Sequence, residues 1–360
     1  AVEQIGKPVL RVLLALPVAL LAPGVLALSA AWLLPSLAGG VIAWAALRRC
    51  RTSRALPHPP PRTAPQQAPQ APGEDRSAAS PGREFWAFSG PRAISSVFDI
   101  TAVWIGVILL SMLATSEEAG IYTAIGRIVT AGTLLQLAIR LAVAPHISRL
   151  LAGGNDAQAH HLHRLSTRWI VMFSLPLFAG VCAFPGTVLS VFGSGFDNGA
   201  AALVVLCVAS AVNVCVGNAQ TVILMAGRST WNLAVAGAAF VVQVVGGLLL
   251  IPRYGVVGAA LAWGAAIVVD NGVSALLVRY RLGFRTIDRG YATAAAIGLL
   301  AVAATMLPVR ILAGDTPFGT VSGTCLAIMA FGLGLWRYRG PLGAGEFFGA
   351  LRRRTAEGSS

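Results

Sequence analysis

Asp99, Arg127 and Asp270 stand inside stretches that are otherwise almost wholly apolar, so chemistry is to be sought at these residues first. A charge in the middle of a membrane-spanning helix opposes insertion by about 2.5–3.5 kcal/mol, so each needs a reason to be there. Asp99 falls near the middle of its run. Arg92 precedes it by one heptad, so Arg92, Ser95, Ser96 and Asp99 share one helical face. That polar stripe points into a bundle or a cavity. The alternatives are headgroup snorkelling for Arg92 and a structural hydrogen bond for Asp99. Arg127 lies about two turns inside the next run, with Tyr122, Thr123 and Thr130 roughly on its side. An arginine lining a cavity suits phosphate or pyrophosphate. Arg140, with Gln136 one turn before it, reads as an interface anchor. Asp270, beside Asn271, either pairs with an arginine or carries a coupling proton. Asn213, Gly217 and Gln220 form a further stripe, with Asn218 nearby. Such amides either hold helices together or line a pathway.

The elements that must position these residues are apolar runs, each about as long as a bilayer is thick. The 360 residues are 56% hydrophobic and only 11% charged, and mean hydropathy is +0.73. A water-soluble chain of this length could not bury that much apolar surface. Eight spans are expected, roughly at 88–114, 120–143, 168–191, 199–225, 232–251, 256–279, 291–313 and 319–336. Before them, Val9–Leu28 and Ala30–Leu47 read as a helical hairpin, with one long kinked helix as the competitor. Between the two groups lies a proline-rich stretch, 48–84, too poor in apolar residues to pack and expected to be a disordered cytoplasmic linker. The expected fold is therefore an all-α, polytopic membrane helical bundle of about ten transmembrane helices.

The net charge of +13 lies mainly in the turns and at the ends. It follows the positive-inside rule better than it suits nucleic acid, and no nucleic-acid partner is expected. If the first residues are cytoplasmic, nearly all arginines fall on that side. The opposite side keeps Arg253 and Arg310, with Glu117, Glu118, Asp197 and Asp315. Both termini are thus expected in the cytoplasm. His146, His160, His161 and His163 fall in a segment read as an amphipathic cytoplasmic loop, 145–168, more readily solvated than metal-binding. The five cysteines show no paired spacing and read as small buried hydrophobes. No P-loop, Gly-rich dinucleotide turn, HExxH or Ser-His-Asp order is present, so no enzyme, metal or cofactor is expected.

Several short motifs follow one another in order. Gly120-Ile-Tyr-Thr-Ala-Ile-Gly-Arg127 opens one helix, which runs to Pro145-His-Ile-Ser-Arg149. Then come Leu189-Ser-Val-Phe-Gly-Ser-Gly-Phe196, Leu224-Met-Ala-Gly-Arg228 and Ile251-Pro-Arg-Tyr-Gly-Val-Val-Gly-Ala-Ala-Leu261. The series resembles the polysaccharide (O-antigen type) flippases of the MATE-like multidrug/oligosaccharidyl-lipid/polysaccharide exporter superfamily. The resemblance implies two six-helix lobes around a cavity that opens alternately to each side, with an extra helix pair at the end. It also implies an undecaprenyl-pyrophosphate-linked oligosaccharide as cargo, H+ or Na+ as coupling ion, membrane lipids and a glycan polymerase as partners, and a bacterial cytoplasmic membrane. On that pattern 1–47 is the last hairpin of an N-terminal lobe that is truncated in this chain. Residues 85–280 are the C-terminal six-helix lobe, 291–336 the extra pair and 337–360 a basic cytoplasmic tail. Substrate binding then falls to Arg127, Arg92, Asn213 and Gln220, and ion coupling to Asp99 and Asp270. A lipid II flippase and a cation-coupled multidrug antiporter are the alternatives within the superfamily, and a scaffold subunit of a glycan-assembly complex is the alternative outside transport.

Overall fold

The computed structural model describes residues 81–283 and 288–338, without the side chains of 81–85, 87 and 88. Of the earlier stretch it describes only 33–35, 37–41, 45 and 48. The chain divides into two units, Ala1–Arg76 and Ser77–Ser360. In the first unit the described residues are helical. The expected hairpin at 9–47, the linker at 48–84 and the tail at 337–360 lie largely outside the described residues. Helix already begins at Pro81, four residues inside the expected linker, because proline is well placed in a first turn where no N–H partner is needed.

In the second unit every regular element among the described residues is helical. These are α1 (Pro81–Leu113), α2 (Ser116–Ala152), α3 (Asp156–Ala183), α4 (Pro185–Ser190) and a 3-10 turn at Phe196–Gly199. They continue with α5 (Ala200–Val216), α6 (Ala219–Met225), α7 (Ser229–Arg281), α8 (Arg289–Ala313) and α9 (Pro317–Arg337). Among the described residues, seven helices are long and apolar enough to cross a membrane, so the chain is a helical, multi-pass membrane protein by architecture. Large side chains such as Leu300, Ile311, Phe318, Ile328 and Met329 are exposed. A surface so apolar belongs in lipid.

α7 covers 53 residues. Straight, it would be about 80 Å long, far more than a bilayer needs. It bends at Gly255, where φ is 51° and ψ is −129°, a conformation open to glycine alone. Beyond the bend, Gly258 comes against the carbonyl of Leu250, and Gly246 faces Ala262. Both pairs are centred on residue 254, so the two arms run back along each other. α7 is a hairpin of two spans, as the two separate runs at 232–251 and 256–279 predict. Small residues let its backbones approach.

Two other expected spans are broken. The run at 199–225 is split into α5 and α6 at Gly217, whose φ is 70°. The run at 168–191 ends as α3 at Ala183, and α4 begins with Pro185 at its first position. The residue before a proline is steered away from helix, and Phe184 is the joint. The histidine segment also differs from the expected loop. α2 continues to Ala152 and α3 starts at Asp156, so all four histidines are helical. The turn between is the short Gly153-Gly154-Asn155.

α1 packs along α7, α5 lies against α3 and α7, and α8 packs on α3 and α9. The core between them includes Leu110, Ile125, Ile170, Leu203, Leu206 and Ile223, all fully buried. α1 is joined to the first arm of α7 by polar contacts as well. Asn232 Nδ2 donates to Ser95 Oγ at 3.0 Å, and Gln243 Nε2 donates to the carbonyl of Ala102 at 2.7 Å. Phe98 and Phe240 rings meet between them at 5.3 Å.

Candidate functional site

The register that pairs α1 with α7 also brings two carboxylates together. Asp99 on α1 and Asp270 on the second arm of α7 line one cavity of about 160 Å³. Its walls include Phe98, Phe240, Gln243 and Trp263. Asp99 is about 21 Å along its helix from Leu113, and Asp270 about 22 Å from Gly255, so both sit at similar depth. Gln243 has spent its amide N–H on Ala102. Its Oε1 is buried and has no protein partner. An orphan acceptor beside two carboxylates is what a wet cavity, or one that takes a donor or cation, presents. The volume has room for several waters.

Arg127 lines the adjoining cavity, of about 170 Å³, together with Trp104, Tyr122 and Thr130. The two cavities share Val103 and Trp263 as a common wall. Trp263 is held against Tyr122, with ring centres 6.1 Å apart. Arg127 is exposed. The hydroxyls of Thr123 and Thr130 donate to their own helix, at Ala119 and Gly126. In the polar stripe of α2, Arg127 is the charged group that lines this cavity. The same stripe on α1 divides. Ser95 is buried and bonded to Asn232, whereas Arg92, Ser96 and Asp99 stay exposed. Arg92 lies two turns from Asp99 and lines neither cavity.

Asn213 and Gln220 join a different group. Asn213 Nδ2 donates to Gln136 Oε1 at 3.2 Å, and Gln136 Nε2 donates to the carbonyl of Gly217 at 3.2 Å. Arg140 donates to Gln220 Oε1 at 3.3 Å. Asn218 Nδ2 reaches Ser166 Oγ at 3.3 Å, and the Tyr291 hydroxyl donates to the carbonyl of Cys215 at 3.1 Å. Two of these bonds, to the carbonyls of Gly217 and Cys215, take up backbone groups freed where α5 gives way to α6. A broken helix survives at membrane depth only on such terms.

Arg140 links the two groups. Its charge is close enough to act on both Asp99 and Asp270, yet neither pairs with it within 4.0 Å. Arg140 thus stands within electrostatic reach of both carboxylates while bonded to Gln220. Gln243 also escaped the sequence reading. Its signal was a lone amide in the long apolar run at 233–251.

Asp315 fastens the α8–α9 turn to α4. Its carboxylate accepts from the N–H of Gly186 (2.9 Å), the N–H of Thr187 (3.0 Å) and the Thr187 hydroxyl (2.7 Å), and pairs with Arg310 at 3.5 Å. Burial pushes this carboxyl up. The Thr187 hydroxyl, the two N–H groups and the Arg310 charge together outweigh it and hold the group below its ordinary value. At the opposite end, Arg168 and Arg164 meet Asp288 at 3.2 and 3.9 Å, and Asp288 caps α8 through the N–H of Tyr291.

Comparison with protein-family models and with curated proteins gives no match in either.

Proposed function

We propose that the chain is a lipid-linked oligosaccharide flippase of the MATE-like superfamily, or most of one, in a bacterial cytoplasmic membrane with both termini cytoplasmic. The observation that carries this reading is the pair of adjoining cavities holding Asp99, Asp270 and Arg127, with Arg140 behind them and the orphan oxygen of Gln243 inside. Lipid cannot solvate such a surface, so it faces water and cargo between two sets of helices. In the proposal Arg127 draws the pyrophosphate-sugar headgroup into the wet space while the polyprenyl tail stays in lipid. Asp99 and Asp270 exchange a proton or sodium ion, and Arg140 sets the charge balance between the loaded and unloaded pair. Arg92 extends the cationic path towards the cytoplasm. Asn213 and Gln220 act indirectly, by shaping the break at Gly217 and holding Arg140. The chain is proposed as a transporter, with no enzyme activity of its own and with a glycan polymerase as a functional partner.

The test is transport of a fluorescent lipid-linked oligosaccharide in proteoliposomes. Arg127→Ala should lose transport while still inserting and remaining monodisperse in detergent. Normal transport by that variant would remove Arg127 from the site and leave the proposal without its cargo contact.

One observation favours a second reading. Phe98, Phe240 and Trp263 wall the cavity of the two carboxylates, and aromatic faces with carboxylates suit an organic cation. A cation-coupled multidrug antiporter would export cationic dyes against a proton or sodium gradient, and Asp270→Asn would abolish that export. Lipid-linked glycan transport without dye export decides for the flippase.

A further inference from the structure

At the other end of α2, away from both cavities, the turn into α3 builds a cationic pocket. Its residues are His146, Arg149 and Leu150 from α2 and Gln158, His161 and Leu162 from α3, around a space of about 700 Å³. Arg149 is exposed, and its Nε donates to the carbonyl of Pro145 at 3.3 Å. That bond fixes the guanidinium plane. Among the described residues no carboxylate pairs with it, so its terminal amino groups keep their hydrogens for a ligand. His146 is half-buried with Nδ1 at 3.1 Å from the carbonyl of Ala142. The neighbouring Arg164 is engaged by Asp288. Asp156, in the first turn of α3, is exposed and is not part of the lining. Among the described residues no three His, Cys, Asp or Glu side chains gather to hold a metal, so the histidines here do not form a metal cage.

The height of the pocket says what it meets. His146 lies 30 residues beyond Ser116, the start of α2, or about 45 Å along the axis. A bilayer with its headgroups is about 40–45 Å thick. With Ser116 at one surface, the pocket opens at the outer edge of the opposite headgroup layer, on the face that the arginine distribution assigns to the cytoplasm. Its floor, Leu150 and Leu162, is apolar, as the glycerol and upper acyl region of a lipid requires.

We propose that this pocket, lined by His146 and His161, is a binding site for the phosphate of an anionic phospholipid of the inner leaflet, held by Arg149. The site is distinct from the transport cavities and does not depend on the cargo. It anchors the α2–α3 hairpin at the membrane surface.

The full chain is reconstituted in nanodiscs that contain phosphatidylcholine and phosphatidylglycerol, and the lipids that stay bound on release are measured by native mass spectrometry. Phosphatidylglycerol should be retained in preference to phosphatidylcholine. Arg149→Gln should weaken that preference about five-fold, as expected for one cation at an anionic surface. His146→Gln combined with His161→Gln should weaken it further. Arg253→Gln, an exposed arginine at the other end of the bundle, serves as a folding and charge control and should leave it intact. Equal retention of the two lipids, or an undiminished preference in Arg149→Gln, overturns the proposal. Displacement of the lipid by millimolar inorganic phosphate assigns the pocket to a soluble phosphate and also overturns it. Persistence of the lipid in that phosphate supports it.

Discussion

Replacing Asp315 with alanine removes four interactions at once, and their sizes follow from their surroundings. Three are hydrogen bonds from Gly186 and Thr187, at 2.7–3.0 Å. Bonds to a charged acceptor contribute about 1.5–3 kcal/mol when dry. The Asp315 side chain keeps 20% of its surface exposed, so each is better set at about 1 kcal/mol. The Arg310 pair, at 37% exposure on the arginine side, adds about 0.5 kcal/mol. The variant should thus lose about 3.5 kcal/mol, and thermal unfolding in detergent should fall by roughly 5 °C or more. Thr187→Val, which removes only the hydroxyl bond, should lose about 1 kcal/mol. Because the folded carboxyl titrates lower than in the unfolded chain, this stabilisation is complete above the ordinary aspartate value of about 3.9. It fades as the pH falls below that, through the depressed folded value. The gap between wild type and Asp315→Ala should therefore be constant from neutral pH down to mildly acidic pH and close in stronger acid. An unchanged melting temperature in Asp315→Ala would refute the reasoning. So would an Arg310→Ala variant as unstable as Asp315→Ala, because the ion pair would then carry the clamp.

Gly217→Ala should destabilise by about 2–4 kcal/mol, since its φ is foreign to other residues and a Cβ there would strike the Thr167 side chain. Unfolding of the purified variant in detergent reads this directly. Ser95→Ala should lose about 0.6–1.7 kcal/mol by leaving the Asn232 amide unpartnered in the membrane. Ser95→Ala with Asn232→Leu should recover part of that loss in a double-mutant cycle. Gln243→Leu removes the orphan oxygen together with the bond to Ala102, so melting should change little while transport in proteoliposomes falls. A strong loss of stability with transport retained would mean that the cavity is merely structural.

The spans were legible because their cause is local. Each apolar run is long enough to cross a bilayer, and Gly255 marks where the chain must turn, whereas the break before Pro185 falls inside a run expected to be continuous. The break at Gly217 was not legible, because Ala200–Ala226 has continuous hydropathy and only the pair Gly217-Asn218 hints at a turn. Pro145 suggested the end of a helix, yet α2 passes through it. A proline inside a helix frees only one carbonyl, here that of Leu141, and membrane helices tolerate it. Asp99, Asp270 and Arg127 were visible as charges in apolar surroundings. Their grouping was not, because it depends on contacts between residues more than a hundred positions apart. The partner of Arg140, Gln220, is 80 positions away, which no spacing rule reaches.

The fold of α7 at Gly255 has a consequence for cell biology. Counting its arms separately, the chain traverses the bilayer an even number of times between Pro81 and Arg337. A reporter fused at either end of this unit must then light up in the same compartment. Were that one bend straightened into a single long crossing, everything downstream of it would change sides, and the two reporters would disagree.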